Sequence, residues 1–249
     1  MTRRLLAVLI TLVGTAGVVV AGLAMFFPME DRSTFAPAGP VRVLELDVDA
    51  GRVEIVAGEG DTTTVTRTRR YFQGAPVVRE GMVEGVFRLE SECPRFIALR
   101  CRVDHRVEVP ARVSVKVRTQ RGSVSVAGVA GMVEVDTGAG NVRLTGTQGP
   151  FRVTTDAGMV DGDDLVAMFL DVTTGAGNIR LSFAEPAGRL GLRSGAGNID
   201  VALPAAEGGY RVAADARAGE VDVTVEENPG GNRAVIATST AGNIRVRTR

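Results

Sequence analysis

The sequence predicts an all-β chain wound as a parallel β-solenoid, or β-helix, of about seven to eight coils, with a strand-rich flap inserted near its start and one transmembrane helix in front. Two observations predict the solenoid. The stretch Thr137-Gly-Ala-Gly-Asn141 returns as Thr174-Gly-Ala-Gly-Asn178, Ser194-Gly-Ala-Gly-Asn198 and Ser239-Thr-Ala-Gly-Asn243. With three weaker copies, the last glycines fall at Gly122, Gly140, Gly158, Gly177, Gly197, Gly219 and Gly242, separated by 18, 18, 19, 20, 22 and 23 residues. A fixed period of about twenty residues marks a solenoid.

The second observation is the alternation around each glycine. Val133, Phe151, Leu170 and Leu190 stand seven residues before their anchors, and Val142, Val160, Ile179 and Ile199 two residues after. Polar residues lie between the apolar ones, which is the period-two pattern of a strand with one buried face. Glycine at the corner frees the backbone for a tight bend. Three residues after the anchor the order runs Arg143, Asp161, Arg180, Asp200, Asp222, Arg245, so stacked coils often set opposite charges side by side. Asn141, Asn178, Asn198 and Asn243 share one corner, where amides can bond along the stack.

Taken in order, Arg3 and Arg4 precede an apolar run from Leu5 to Phe27. Residues 1–27 are therefore a membrane anchor with its amino terminus in the cytoplasm, or a signal segment cleaved near Gly22-Leu-Ala24. Both readings export the remainder of the chain. Residues 28–40 carry turn formers and charge without periodicity and read as a linker. Residues 41–249 form the solenoid domain, beginning with a coil around Gly51 that carries Leu44, Leu46, Val53 and Ile55 at the offsets of the later ladders.

The return from Gly51 to Gly122 spans an insertion, residues 61–110, read as a flap over the amino-terminal end of the stack. Within it Thr62–Phe72, Val86–Glu90 and Leu99–Val109 alternate as strands, and Gly74–Gly85 is turn-like. Cys93 and Cys101 flank a turn in the flap, and in an exported chain such a pair is most simply a disulfide. At the other end, Asn243–Arg249 with Arg245, Arg247 and Arg249 reads as an uncovered, charged edge strand.

The formal charge is zero overall but uneven. Residues 62–121 hold thirteen basic against six acidic residues, and residues 122–249 eleven against fifteen. Arg95, Arg100, Arg102, Arg106, Arg112, Lys116, Arg118 and Arg121 gather near the tethered end, a candidate basic surface for anionic lipid head groups or envelope polymers. The preference for arginine over lysine is discounted as a codon effect, and no nucleic-acid partner is expected.

The sequence offers no catalytic site, metal site or cofactor. His105 is the sole histidine, on an alternating strand, and is expected to be solvated or partly buried. Asp161-Gly-Asp-Asp164 matches no calcium loop and reads as a local bulge. Asp136 and Asp215 share an outward offset, yet Thr154, Thr173 and Arg193 separate them, too far for paired acid and base work.

The reiterated turns at Gly140, Gly177, Gly197 and Gly242, the Cys-Pro and Cys pair ahead of Val107-Glu-Val-Pro110, and the amino-terminal apolar segment resemble the bacterial family of putative adhesins, β-strand-repeat proteins of largely unknown function. The resemblance covers Val41–Arg249 and implies an adhesive label without assigning a binding site. The reading is a non-catalytic, membrane-anchored, extracytoplasmic solenoid acting as an adhesive or envelope-binding module. The alternative is a scaffold polymerising end to end through the Asn243–Arg249 edge, and a glycan-active enzyme comes third.

Overall fold

In the computed structural model of the protein, residues 29–72, 74–94 and 101–249 are described. The expected anchor at 1–27 lies outside them. The alternating segments form β1 (Met29–Phe35), β2 (Val43–Ala50), β3 (Val53–Gly58), β4 (Thr64–Tyr71), β5 (Val77–Val83), β6 (Val86–Glu92) and β7 (Arg102–Pro110). They continue as β8 (Ser114–Arg121), β9 (Val124–Ala127), β10 (Val133–Ala139), β11 (Val142–Thr145), β12 (Phe151–Ala157), β13 (Val160–Leu165) and β14 (Phe169–Ala176). The chain ends with β15 (Ile179–Phe183), β16 (Arg189–Ala196), β17 (Ile199–Leu203), β18 (Arg211–Ala216), β19 (Val221–Val223), β20 (Ala234–Ala241) and β21 (Ile244–Thr248). No helix occurs among the described residues.

Two sheets result, of eleven and ten strands, facing each other across one core. Each rung is a strand in the ten-stranded sheet, a corner, and a strand in the eleven-stranded sheet. Parallel pairing stacks Val133, Phe151, Leu170, Leu190 and Val235 in one row and Val142, Val160, Ile179, Ile199 and Ile244 in another, all buried. At the corners backbone lies on backbone. A Cβ on Gly177 would sit 1.9 Å from the Gly158 carbonyl oxygen, so no other residue fits. Beside the corner the asparagines bond up the stack: Asn141 Oδ1 accepts from Met159 N at 3.0 Å, and Asn178 Oδ1 from Asn198 N at 2.8 Å.

Three residues before six of the glycine corners a hydroxyl points inward, at Thr119, Thr137, Thr155, Thr174, Ser194 and Ser239, and all are buried. Ser194 Oγ and Ser239 Oγ donate to the carbonyls of Gly177 and Gly197 at 3.1 and 3.0 Å. Among the described residues the hydroxyls of Thr119, Thr137 and Thr155 have no partner.

The stack departs from chain order at its far end. The ten-stranded sheet ends β16-β20-β18 and the eleven-stranded sheet β17-β21-β19. The chain skips a slot after β17, lays down β18 and β19, then returns to fill the slot with β20 and β21. The Asn243–Arg249 edge expected from the sequence is therefore not an edge, since β21 pairs with β17 on one side and β19 on the other. The outward charges give a physical reason. In spatial order they read Arg143, Asp161, Arg180, Asp200, Arg245, Asp222, an unbroken alternation that chain order would spoil by pairing Asp200 with Asp222.

The insertion is more than a flap. β6 and β7 pair in parallel with β2 and β3, forming a further rung whose corner holds the Cys93–Cys101 disulfide in place of a glycine. Outside this rung β5, β4 and β1 close the stack in antiparallel fashion. The Gly74–Gly85 segment read as turn-like contains β5, with the turn confined to Glu84 and Gly85. The segment read as a linker likewise contains β1. Glu30 and Asp31 pair with Arg70 and Arg69 there, and the Phe35 ring meets Phe87 edge-on at 6.4 Å, which holds the strand in the sheet.

Candidate binding face

The basic surface expected from the sequence is not brought together. Arg102 and Arg106 lie on β7 in one sheet, Lys116 and Arg118 on β8 in the other, and their outward faces point in opposite directions. Arg112 occupies the intervening turn, Arg121 ends β8, and Arg95 and Arg100 lie outside the described residues. Carboxylates also answer several of these cations. Arg106 pairs with Glu54, Arg102 with Asp104 at 2.8 Å, and Lys116 with Glu134 at 3.2 Å.

The acidic residues are absorbed locally too. At Asp161–Asp164 the register shifts between Gly162 and Leu165, so Leu165 rather than Asp164 aligns with Phe183. Asp164 adopts φ 52° in this bulge and receives Arg249, Asp163 accepts from Ser182 Oγ at 2.6 Å, and Asp161 lies between Arg143 and Arg180. Asp136 and Asp215 stand apart across Thr154, Thr173, Arg193 and Thr238. Among the described residues no three His, Cys, Asp or Glu side chains converge to hold a metal.

His105 departs from expectation. It faces inward next to Val53 and is 1% exposed, with Nε2 2.8 Å from Ser91 Oγ. Burial, reinforced by the nearby Arg67 charge and opposed by Asp104, pushes it down to about 4, so it is neutral at pH 7. It caps the aliphatic core with a polar row, Ser33, Arg67 and His105, and Arg67 also lies 5.5 Å over the Phe35 ring.

What stands out on the outer surface is a break in a pattern. Along the middle of the ten-stranded sheet the outward row reads Arg88, Glu45, Lys116, Glu134, Arg152, Asp171, alternating in sign at each strand. Arg88 meets Glu45 at 2.6 Å, and Arg193, one position over, meets Asp171 at 3.0 Å. The next members of the row are Gly191, Ile236 and Ala213, and the charge stops. Gly191 contributes no side chain, which leaves a notch beside Phe169.

The notch is a shallow groove of about 490 Å³, its walls formed by Met132, Phe169, Ile236, Arg152, Arg189 and Arg193. Phe169 is 61% exposed, the adjacent Met168 68% and Ile236 44%, large apolar side chains held in water at a sheet surface. Arg152 and Arg189 make no ion pair among the described residues. Sequence reasoning passed over this face, although one signal was present: Ile236 occupies the outward offset that Glu134, Arg152 and Asp171 hold elsewhere.

The profile of the family described as Toastrack DUF4097 matches residues 41–249. Among curated proteins none matches. Among solved structures, a putative cell adhesion protein from Clostridium sporogenes is 14% identical, with 90% of this chain and 100% of that chain covered at a TM-score of 0.42. A putative adhesin from Bacteroides fragilis is 10% identical, covering 88% and 97% at 0.38. A putative lipid binding protein from Parabacteroides distasonis is 10% identical, covering 89% and 98% at 0.43.

Proposed function

The chain belongs to the Toastrack DUF4097 family, and from that premise we propose that it is a non-catalytic, exported envelope-binding module that lays the outer face of its ten-stranded sheet on an anionic membrane surface. The observation that carries the reading is the groove around Gly191, where an ion-paired face gives way to exposed Met168, Phe169 and Ile236 flanked by Arg152 and Arg189. Apolar side chains that enter the interfacial layer beside arginines that meet phosphate are the combination a membrane surface selects. The buried Cys93–Cys101 disulfide supports an oxidising, extracytoplasmic setting. The apolar run at 5–27, read as an anchor, would keep the module beside the membrane it binds.

The test is co-sedimentation of residues 29–249 with vesicles of phosphatidylglycerol or of phosphatidylcholine. Binding is expected to the anionic vesicles and to weaken with salt. Phe169→Asp should abolish it, and Arg152→Gln with Arg189→Gln should weaken it roughly thirtyfold, at about 1 kcal/mol for each arginine. Equal binding by Phe169→Asp, or binding to envelope polymers in place of vesicles, would sink the membrane reading.

A further inference from the structure

The two ends of the stack are finished differently. At the end closed by β1 and β5, each edge strand carries charges engaged with the strand beneath, Glu30 with Arg70 at 3.0 Å and Arg79 with Glu92 at 2.7 Å, and Glu80 reaches across to Arg67 of the other sheet at 3.4 Å. Such edges resist further pairing. At the other end β18 and β19 pair with β20 and β21 on one side; on the other, among the described residues, only Tyr210, just before β18, is engaged, by Glu226 and Asn228. Their core-facing Val212, Ala214, Ala216 and Val223 are only partly buried, whereas Val235 and Ala237 one strand below are fully so. One end of the hydrophobic core is therefore uncovered.

We infer that β18 is the pairing edge for a second copy of this chain, joined antiparallel about Ala213 by a twofold axis. Three features of the strand agree on this register. Arg211 N donates to Arg233 O at 2.9 Å and Arg217 N to Ser239 O at 3.0 Å, so the odd-numbered residues bond to β20, and the even-numbered Val212, Ala214 and Ala216 present N–H and C=O to the open edge, which ends at Tyr210 where Glu226 and Asn228 already bond. A twofold centred on Ala213 sets Val212 opposite Ala214 of the second copy, which makes them the hydrogen-bonded pair and places both on the core side. The same axis sets Arg211 opposite Asp215 of the second copy, twice. Both side chains are exposed, and neither has an ion-pair partner among the described residues. A strand whose cation and anion lie four residues apart on one face is complementary to itself when reversed. Because only one end is bare, association closes as a pair and does not propagate as a filament.

The experiment measures the mass of the full chain in mild detergent by light scattering across a concentration series. A concentration-dependent dimer is expected. Ala214→Pro removes an N–H that bonds nothing among the described residues and should leave a folded monomer. Arg211→Asp and Asp215→Arg should each weaken self-association by at least about tenfold, because each sets like charges opposite one another. Mixing the two variants restores both opposite-charge pairs and should restore a mixed dimer. A wild-type monomer throughout the series, a dimer untouched by Ala214→Pro, or no recovery on mixing would each overturn the inference. Failure here would leave vesicle binding by the Phe169 face unaffected, since the two surfaces are tested by different variants.

Discussion

Acidification should loosen the disulfide-bearing end of the stack through a single side chain. His105 is neutral in the folded protein because burial holds it down to about 4, against 6.5 in a free histidine. The sign is set by proton uptake. Between pH 6.5 and 4 the unfolded chain binds a proton that the folded chain does not, so stability is full above pH 6.5 and falls as pH drops, levelling off below 4. A drop from 6.5 to about 4 corresponds to roughly 3 kcal/mol, a large share of the stability of an ordinary domain. The chain has one histidine, so its imidazole NMR signal is unambiguous, and its inflection is expected near pH 4. Urea unfolding from pH 7 to 4 provides the second readout, comparing wild type with Ser91→Ala/His105→Val. The valine continues the row begun by Val53 and Val124, and removing Ser91's hydroxyl avoids leaving it without its partner. Glu30 and Asp31, held below the usual carboxylate range by hydrogen bonds from Arg70 and Arg69, are common to both proteins and cancel in the comparison. An inflection near 6.5, or parallel pH profiles for the two proteins, would refute the reasoning.

Other substitutions probe the corners and ladders. Gly177→Ala drives a Cβ into the Gly158 carbonyl in the middle of the stack and should cost more than about 4 kcal/mol by denaturant melting, whereas Gly81→Ala, with nothing within 4 Å, should stay within about 0.5 kcal/mol. Ser194→Ala removes the bond to the Gly177 carbonyl and should lower stability by about 1 kcal/mol, while Thr155→Val replaces an unpaired buried hydroxyl and should be neutral or stabilising in the same assay. Replacing both Cys93 and Cys101 by serine frees the corner between β6 and β7 and should cost about 2.5 kcal/mol, read as a lowered urea midpoint.

Much of the architecture was legible because burial repeats. The valines, leucines and isoleucines at fixed offsets from the glycines enter the core, except in the outermost rung around Gly219, where Val221 is exposed and Val212 and Val223 are only partly buried, and Gly51 marks a true rung whose strands pair with β8 and β9. The β6–β7 rung was hidden because its corner is a disulfide loop and carries no glycine anchor. The exchange of the last two rungs was hidden by the assumption that neighbours in sequence are neighbours in space. The like charges of Asp200 and Asp222 in chain order, with Arg245 left over, were the clue. The basic cluster failed for a different reason: residues close in number on successive strands are sent to opposite faces by the corner between them, as Arg106 and Lys116 are. The candidate face was missed because its meaning lies in Gly191 and Ile236 interrupting a row that exists only once strands are stacked.

The exchanged rungs make β20 and β21 a keystone. Until β20 and β21 arrive, β18 and β19 would hang about 10 Å from β16 and β17, two strand spacings away and out of hydrogen-bond reach. Synthesis from the amino terminus can therefore complete the winding rung by rung up to Leu203, but the following turn has no seat until the final residues thread into place. Losing those last residues would strand a segment that is itself intact, so a short truncation should behave like the loss of two rungs.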